Sequence, residues 1–157
     1  DPLPFRLKSP DKDSFALDGI ASVSSRIDGL LQLTEAGVLL EWRETRTTDR
    51  VSFERIGTDV EELPTQWLEL PFERIAGAWV IGGWWRPRME LRARGLDDFA
   101  GVPGSRGVTQ VLQLHRRDRA LALAMAAEIH ALAEVARLEP GDRPQLDEAD
   151  PEWQTDA

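Results

Sequence analysis

The amino-acid sequence predicts an α+β fold that is mainly β: about seven antiparallel strands in a bent sandwich or partly open barrel, capped by one C-terminal helix. Three observations predict it. Apolar and polar residues alternate with a period of two in short runs between Ser25 and Leu114, the pattern of strands with one buried face. Segments bearing glycine and proline punctuate those runs. The one long stretch with three- and four-residue spacing, residues 118–136, comes after all of them. At 157 residues the chain has the length of one domain able to bury a core of its own.

Residues 1–22 read as an N-terminal arm, extended at its start, that Phe5 and Leu7 can pin to the body, and the weakly patterned residues 14–23 suit either an entry strand or a short helical turn. In SRIDGLLQLT, Ile27, Leu31 and Leu33 share one face with Gly29, while Arg26, Asp28 and Gln32 take the other. VLLEWRET then places Val38, Leu40 and Trp42 inward, and Glu35-Ala36-Gly37 between the two runs predicts a tight turn with Gly37 at positive φ. Polar TRTTDR is expected to form the next turn and RVSFERI the next strand, with Val51 and Phe53 alternating. The acidic stretch after it ends at Pro64, which breaks a ladder. WLELPF alternates Leu68, Leu70 and Phe72, with Pro71 keeping it short or at an edge.

IAGAWVI puts Ile75, Trp79 and Ile81 on one face, with Gly77 suited to a bend or a close backbone approach. After the turn signal Gly82-Gly83, WWRPRMELRAR places Trp85, Met89, Leu91 and Ala93 inward, and Pro87 favours an edge or a bulge. Residues 95–107 form a loop with a helical turn near 97–100, capped by Asp97 or Asp98, and residues 108–114 form the last strand. The helix, capped by Asp118, carries an apolar stripe of Leu121, Ala124, Met125, Ile129, Leu132, Val135 and Ala136. Glu139-Pro140-Gly141 stops it, and residues 139–157 read as an acidic tail expected to be disordered.

The net charge of −9 is concentrated in that tail, where seven acids and one base leave −3 for the rest of the chain. A nearly balanced body with an acidic end argues against nucleic-acid binding, which draws its affinity from clustered positive charge. The absence of cysteine excludes disulfides, zinc–thiolate sites and thiol nucleophiles, and it suits a cytoplasmic protein. No apolar run reaches the roughly 20 residues of a membrane span, so no integral membrane association is expected.

The order of elements, carried by SRIDGLLQLTEAGVLLEWRE, WLELPFERIAGAWVIGGWW, MELRAR and VTQVLQLHRRDRALALAMAAEIHAL, resembles the pleckstrin-homology-like superfamily, and in particular its bacterial members, over residues 25–137. The resemblance implies a PH-like domain over residues 23–138, in which two bent sheets make an open barrel and the helix closes one end. It implies no single function, because the scaffold carries lipid, peptide and protein ligands alike. Phosphoinositide-binding members resemble one another in a basic first hairpin loop. The loop here, Thr34-Glu35-Ala36-Gly37, holds an acid and no base, which argues against phosphoinositide binding at that mouth.

Two groups of residues are candidates for binding. Arg86, Arg88, Arg92 and Arg94 fall on one outward strand face, where residues two apart stand about 7 Å apart, suited to an anionic ligand, an acidic peptide or the chain's own acidic tail. Pairing with acids of a neighbouring strand would make them an ordinary solvated face. Trp67 and Trp84 fall on outward positions, where an indole commonly anchors a protein partner, whereas Trp42, Trp79 and Trp85 fall on inward ones. His115 and His130 lack the further ligands of a metal site, and no phosphate loop, nucleophile elbow or histidine–carboxylate cluster is present. The expectation is a non-catalytic binding or assembly module, without cofactor or metal, acting through protein–protein contact or self-association. A small-molecule or lipid-binding barrel is the alternative, and a cavity in the core would distinguish it.

Overall fold

A computed structural model describes residues 1–9, 12–16, 19–51 and 54–138, with residues 12–16, 19 and 20 as backbone alone. Among the described residues nine strands are formed: β1 (Leu3–Leu7), β2 (Lys12–Ala16), β3 (Gly19–Leu33), β4 (Gly37–Val51), β5 (Ile56–Glu62), β6 (Gln66–Pro71), β7 (Ile75–Ile81), β8 (Arg88–Ala93) and β9 (Thr109–Gln113). One helix, α1 (Arg119–Leu138), comes after them. All strand pairs are antiparallel, and the main path runs β5-β4-β3-β1-β9-β8-β7.

The path forces the sheet to curl. β6 pairs with β4 near one end of the sheet and β7 forms the other end, yet only the three residues of a 3₁₀ turn, Phe72–Arg74, separate them in sequence. On a flat sheet the six strand spacings from β6 to β7 would set them roughly 29 Å apart. Three linking residues reach no further than about 14 Å. The two ends therefore come round to face each other without pairing, so the sheet is bent and not closed. α1 lies against β7 and that 3₁₀ turn, at the place where closure fails. The mainly β, helix-capped architecture expected from the sequence is the one formed, and among the described residues no helix is long and apolar enough to cross a membrane.

The β3–β4 hairpin divides into two halves. Its inner half, Ile27–Leu33 against Val38–Glu44, lies between β1 and β6 and buries Ile27, Leu31, Val38, Leu40 and Trp42 on the face that meets α1 and the remaining strands. Its outer half lies between β2 and β5 and runs beyond the core, where every residue of β5 is exposed. TRTTDR, which reads as a turn, sits within β4: threonines and charged residues suit a strand whose two faces both meet solvent. Phe53 lies outside the described residues, as does the tail at 139–157 with any contact it makes to the arginines.

Residues 3–7, placed by the sequence in an extended arm, instead form a central strand. β1 pairs with β3 along its whole length and meets β9 at Arg6↔Gln113, burying Leu3, Phe5 and Leu7. Gly37 does not take positive φ. It lies in β4 so close to the Leu70 carbonyl that a Cβ could not fit, while Thr34 closes the turn by accepting the Gly37 N–H at 3.0 Å.

In β7 a bulge between Ile75 and Gly77 inserts one extra residue and reverses the phase of the strand beyond it. Ala78 is buried, and Trp79 turns outward onto the helix edge, where its ring meets His130 edge-on at 6.0 Å and Arg92 at 5.3 Å. Gly77 leaves the room this needs, since a Cβ there would strike the Trp79 ring.

The buried stripe of α1 is Ala122, Met125, Ala126, Ile129 and Ala133, with Leu121, Leu132 and Ala136 beside it, while Ala124 and Val135 face solvent. Alanines on the contact face let the helix approach the sheet closely. Asp118 does not cap it: residue 118 ends a 3₁₀ turn, Arg116–Asp118, that runs straight into α1, and His115 caps that turn through Nδ1.

Candidate functional site

An exposed cluster of aromatic and cationic side chains sits where the β7–β8 turn meets the 3₁₀ turn before α1. Gly82 at φ +85° reverses the chain, the Arg86 N–H donates to the Gly83 carbonyl at 3.2 Å, and the Leu114 N–H donates to the Pro87 carbonyl at 3.0 Å. Pro87 is buried beneath the turn, so the residues before it are held out from the body. Trp84 and Trp85 project from this turn, 59% and 75% exposed. Their rings pack edge to face at 6.0 Å. The Arg116 guanidinium lies over both, 5.3 Å from the Trp84 ring and 5.2 Å from the Trp85 ring.

Most of the area of both indoles stays outside the core. Their quadrupoles attract one cation, each contact favouring this arrangement by about 0.5–1 kcal/mol. The outcome is an exposed, amphipathic knob. No family model matches the chain, and no curated protein or solved structure is similar to it at a significant level. The chemistry of this surface therefore has to be read from its own residues.

The structure separates the candidates that the sequence groups together. Trp84 is outward, as its position implies, and so is Trp67, 68% exposed on β6 beside a shallow groove of about 420 Å³ that reaches Trp42, Ala100 and Gly101. Trp67 makes no ring contact with the pair in the turn. Trp85, assigned inward by alternation, is exposed, because residues 82–87 are turn and strand phase begins only at Arg88.

The four candidate arginines, two on β8 and two flanking it, differ in their surroundings. Arg92 pairs with Glu90 at 3.0 Å while covering Trp79, and the Arg94 Nε donates to the Ile75 carbonyl at 3.3 Å. Arg86 and Arg88 are exposed and have no ion pair or side-chain hydrogen bond among the described residues. Arg116 escapes sequence reasoning because its partners lie about thirty positions away. The local signal, two adjacent tryptophans straight after Gly82-Gly83, is present but reads as strand.

Among the described residues, one apolar gap between Val38, Leu70, Ile75, Leu91 and Phe99 amounts to about 10 Å³, too small for any organic ligand. Among the described residues no three histidine, aspartate or glutamate side chains gather as a metal site would need.

Proposed function

We propose that the chain is a non-catalytic binding module that acts through protein–protein contact, with Trp84, Trp85 and Arg116 as its anchor. The observation that carries this reading is the exposure of two indoles that pack on each other beneath a shared cation. Tryptophan and arginine dominate the energetics of protein interfaces, and side chains that are ordered before binding lose little entropy on association. The smallness of the apolar gap beside Phe99 favours this over a small-molecule or lipid carrier. The order of strands and then one helix is in keeping with the PH-like resemblance, and a chain without cysteine suits the cytoplasm.

Photo-crosslinking tests the reading. A photoreactive phenylalanine analogue at position 85, in the chain's own cells, is expected to give a discrete adduct with one partner or a second copy. The same analogue at exposed Leu96 gives none. Trp84→Ala should weaken capture by about thirtyfold, as for a hot-spot tryptophan, without changing the circular dichroism. Equal adducts from positions 85 and 96 would remove the proposal.

A further inference from the structure

Beside the aromatic knob, on the outer face of the sheet, the seam between β1 and β9 opens. The two strands share the single paired position Arg6↔Gln113, and beyond it they part around a cleft of about 380 Å³. Phe5 and Leu114, both buried, contribute to its apolar floor. Its rim is cationic, and one carboxylate organises it. Asp28 accepts the Arg6 Nε at 3.2 Å on one oxygen and the Arg26 Nε at 2.6 Å on the other. Both guanidiniums are thereby steadied through Nε, and their terminal nitrogens make no hydrogen bond among the described residues.

Arg117, from the 3₁₀ turn before α1, also lines the cleft, and its one ion pair among the described residues is with Asp118 at 3.7 Å. Next to it His115 accepts the Arg117 backbone N–H on Nδ1 at 3.3 Å, so the neutral ring carries its proton on Nε2 and presents a donor. Three guanidiniums against two carboxylates leave one positive charge over. That suits a single carboxylate, since Asp28 and Asp118 would oppose a phosphate dianion.

We propose that this cleft takes a carboxylate side chain of an acidic, apolar-flanked peptide segment, gripped by the terminal nitrogens of Arg6, Arg26 and Arg117. The proposal names the partner chemistry for the protein-binding reading and rests on it. Arg116 and Arg117 are adjacent on one turn, yet the first lies on the indoles and the second on the cleft. A segment with an acid and a large apolar residue a few positions apart meets both surfaces at once. The chain's anion site is thus the strand seam, and the β8 stripe is not part of it.

Isotope-labelled full chain is titrated at low salt with a capped Glu-Leu-Glu-Leu-Glu peptide, its Gln-Leu-Gln-Leu-Gln counterpart and inorganic phosphate. The glutamate peptide is expected to shift residues 26–28 and 115–117 saturably, and to bind about tenfold more tightly than the glutamine peptide. Arg26→Gln and Arg117→Gln each reduce its binding by a similar factor, whereas Arg92→Gln leaves it unchanged. Equal binding of the two peptides, absence of saturation, tighter binding of phosphate, or an equal loss in Arg92→Gln would each overturn the proposal. Loss of the position-85 adduct with the titration intact would instead strike the aromatic anchor alone.

Discussion

The carboxylate of Asp98 meets the guanidinium of Arg74 at 2.7 Å, the acid 3% exposed and the base 60% exposed. Asp98 also accepts the Gly95 N–H at 2.8 Å, so one side chain ties the loop after β8 to the 3₁₀ turn between β6 and β7. The Arg94 N–H donates to the Arg74 carbonyl at 2.8 Å, adding a backbone link at the same junction. The asymmetry of exposure dictates the response to mutation. Arg74→Met strands a buried anion and should cost about 3 kcal/mol, while Asp98→Asn, which leaves an exposed arginine in water, should cost about 1 kcal/mol. Urea midpoints of the two variants test the order.

Gly37 and Gly57 make a paired test of close approach. A methyl at position 37 would fall on the Leu70 backbone carbonyl, and a methyl at position 57 would meet nothing within 4 Å. Gly37→Ala is expected to destabilise by about 1–3 kcal/mol. Gly57→Ala is expected to stabilise by roughly 0.5 kcal/mol, since alanine loses less backbone freedom in a strand. Thermal unfolding distinguishes the two signs.

The face of α1 can be tested in the same manner. Ile129 is fully buried and Val135 is mostly in solvent. Ile129→Ala should lose about 2–5 kcal/mol and Val135→Ala no more than about 0.5 kcal/mol. Similar losses at both positions would mean that the helix is turned relative to the sheet.

Tryptophan fluorescence separates core from surface. Trp42→Ala removes a buried ring and should cost about 3–5 kcal/mol. Trp85→Ala should leave the urea midpoint close to that of the parent and remove a large share of iodide-accessible emission.

The elements that bury one face are legible in the sequence. Leu31, Val38, Leu40, Leu70, Met89 and Leu91 alternate as they do because the other face meets water, and the structure keeps each on its expected side. β5 is exposed throughout and the outer half of β4 has no fully buried residue, so alternation misplaces them: the strand expected over RVSFERI instead spans the end of β4 at Val51 and the start of β5 at Ile56. β1 does alternate Leu3, Phe5 and Leu7, but Pro2 and Pro4 disguise it as an arm. The inversion at Trp79 arises from one extra residue in β7, which no count of apolar spacing registers. The helix stripe is displaced because its contact residues are largely alanines, whose burial depends on what faces them. Of the candidate sites, the tryptophan in the turn is visible in the sequence, whereas Arg116 on the indoles and the Arg6–Asp28–Arg26 group depend on pairings made only in the fold.

β1 lies between β3 and β9, and its contact with β9 joins positions roughly a hundred apart in the chain. During synthesis the hairpin partner β3 is at hand early, but the second neighbour emerges only after every other strand has been made. Until then β1 is a rim with Leu3, Phe5 and Leu7 incompletely covered, and joining it to β9 bears the loop-closure cost that slows folding of nonlocal β topologies. Nascent chains halted before Gln113 should therefore be more susceptible to chaperone capture than chains allowed to extend through α1.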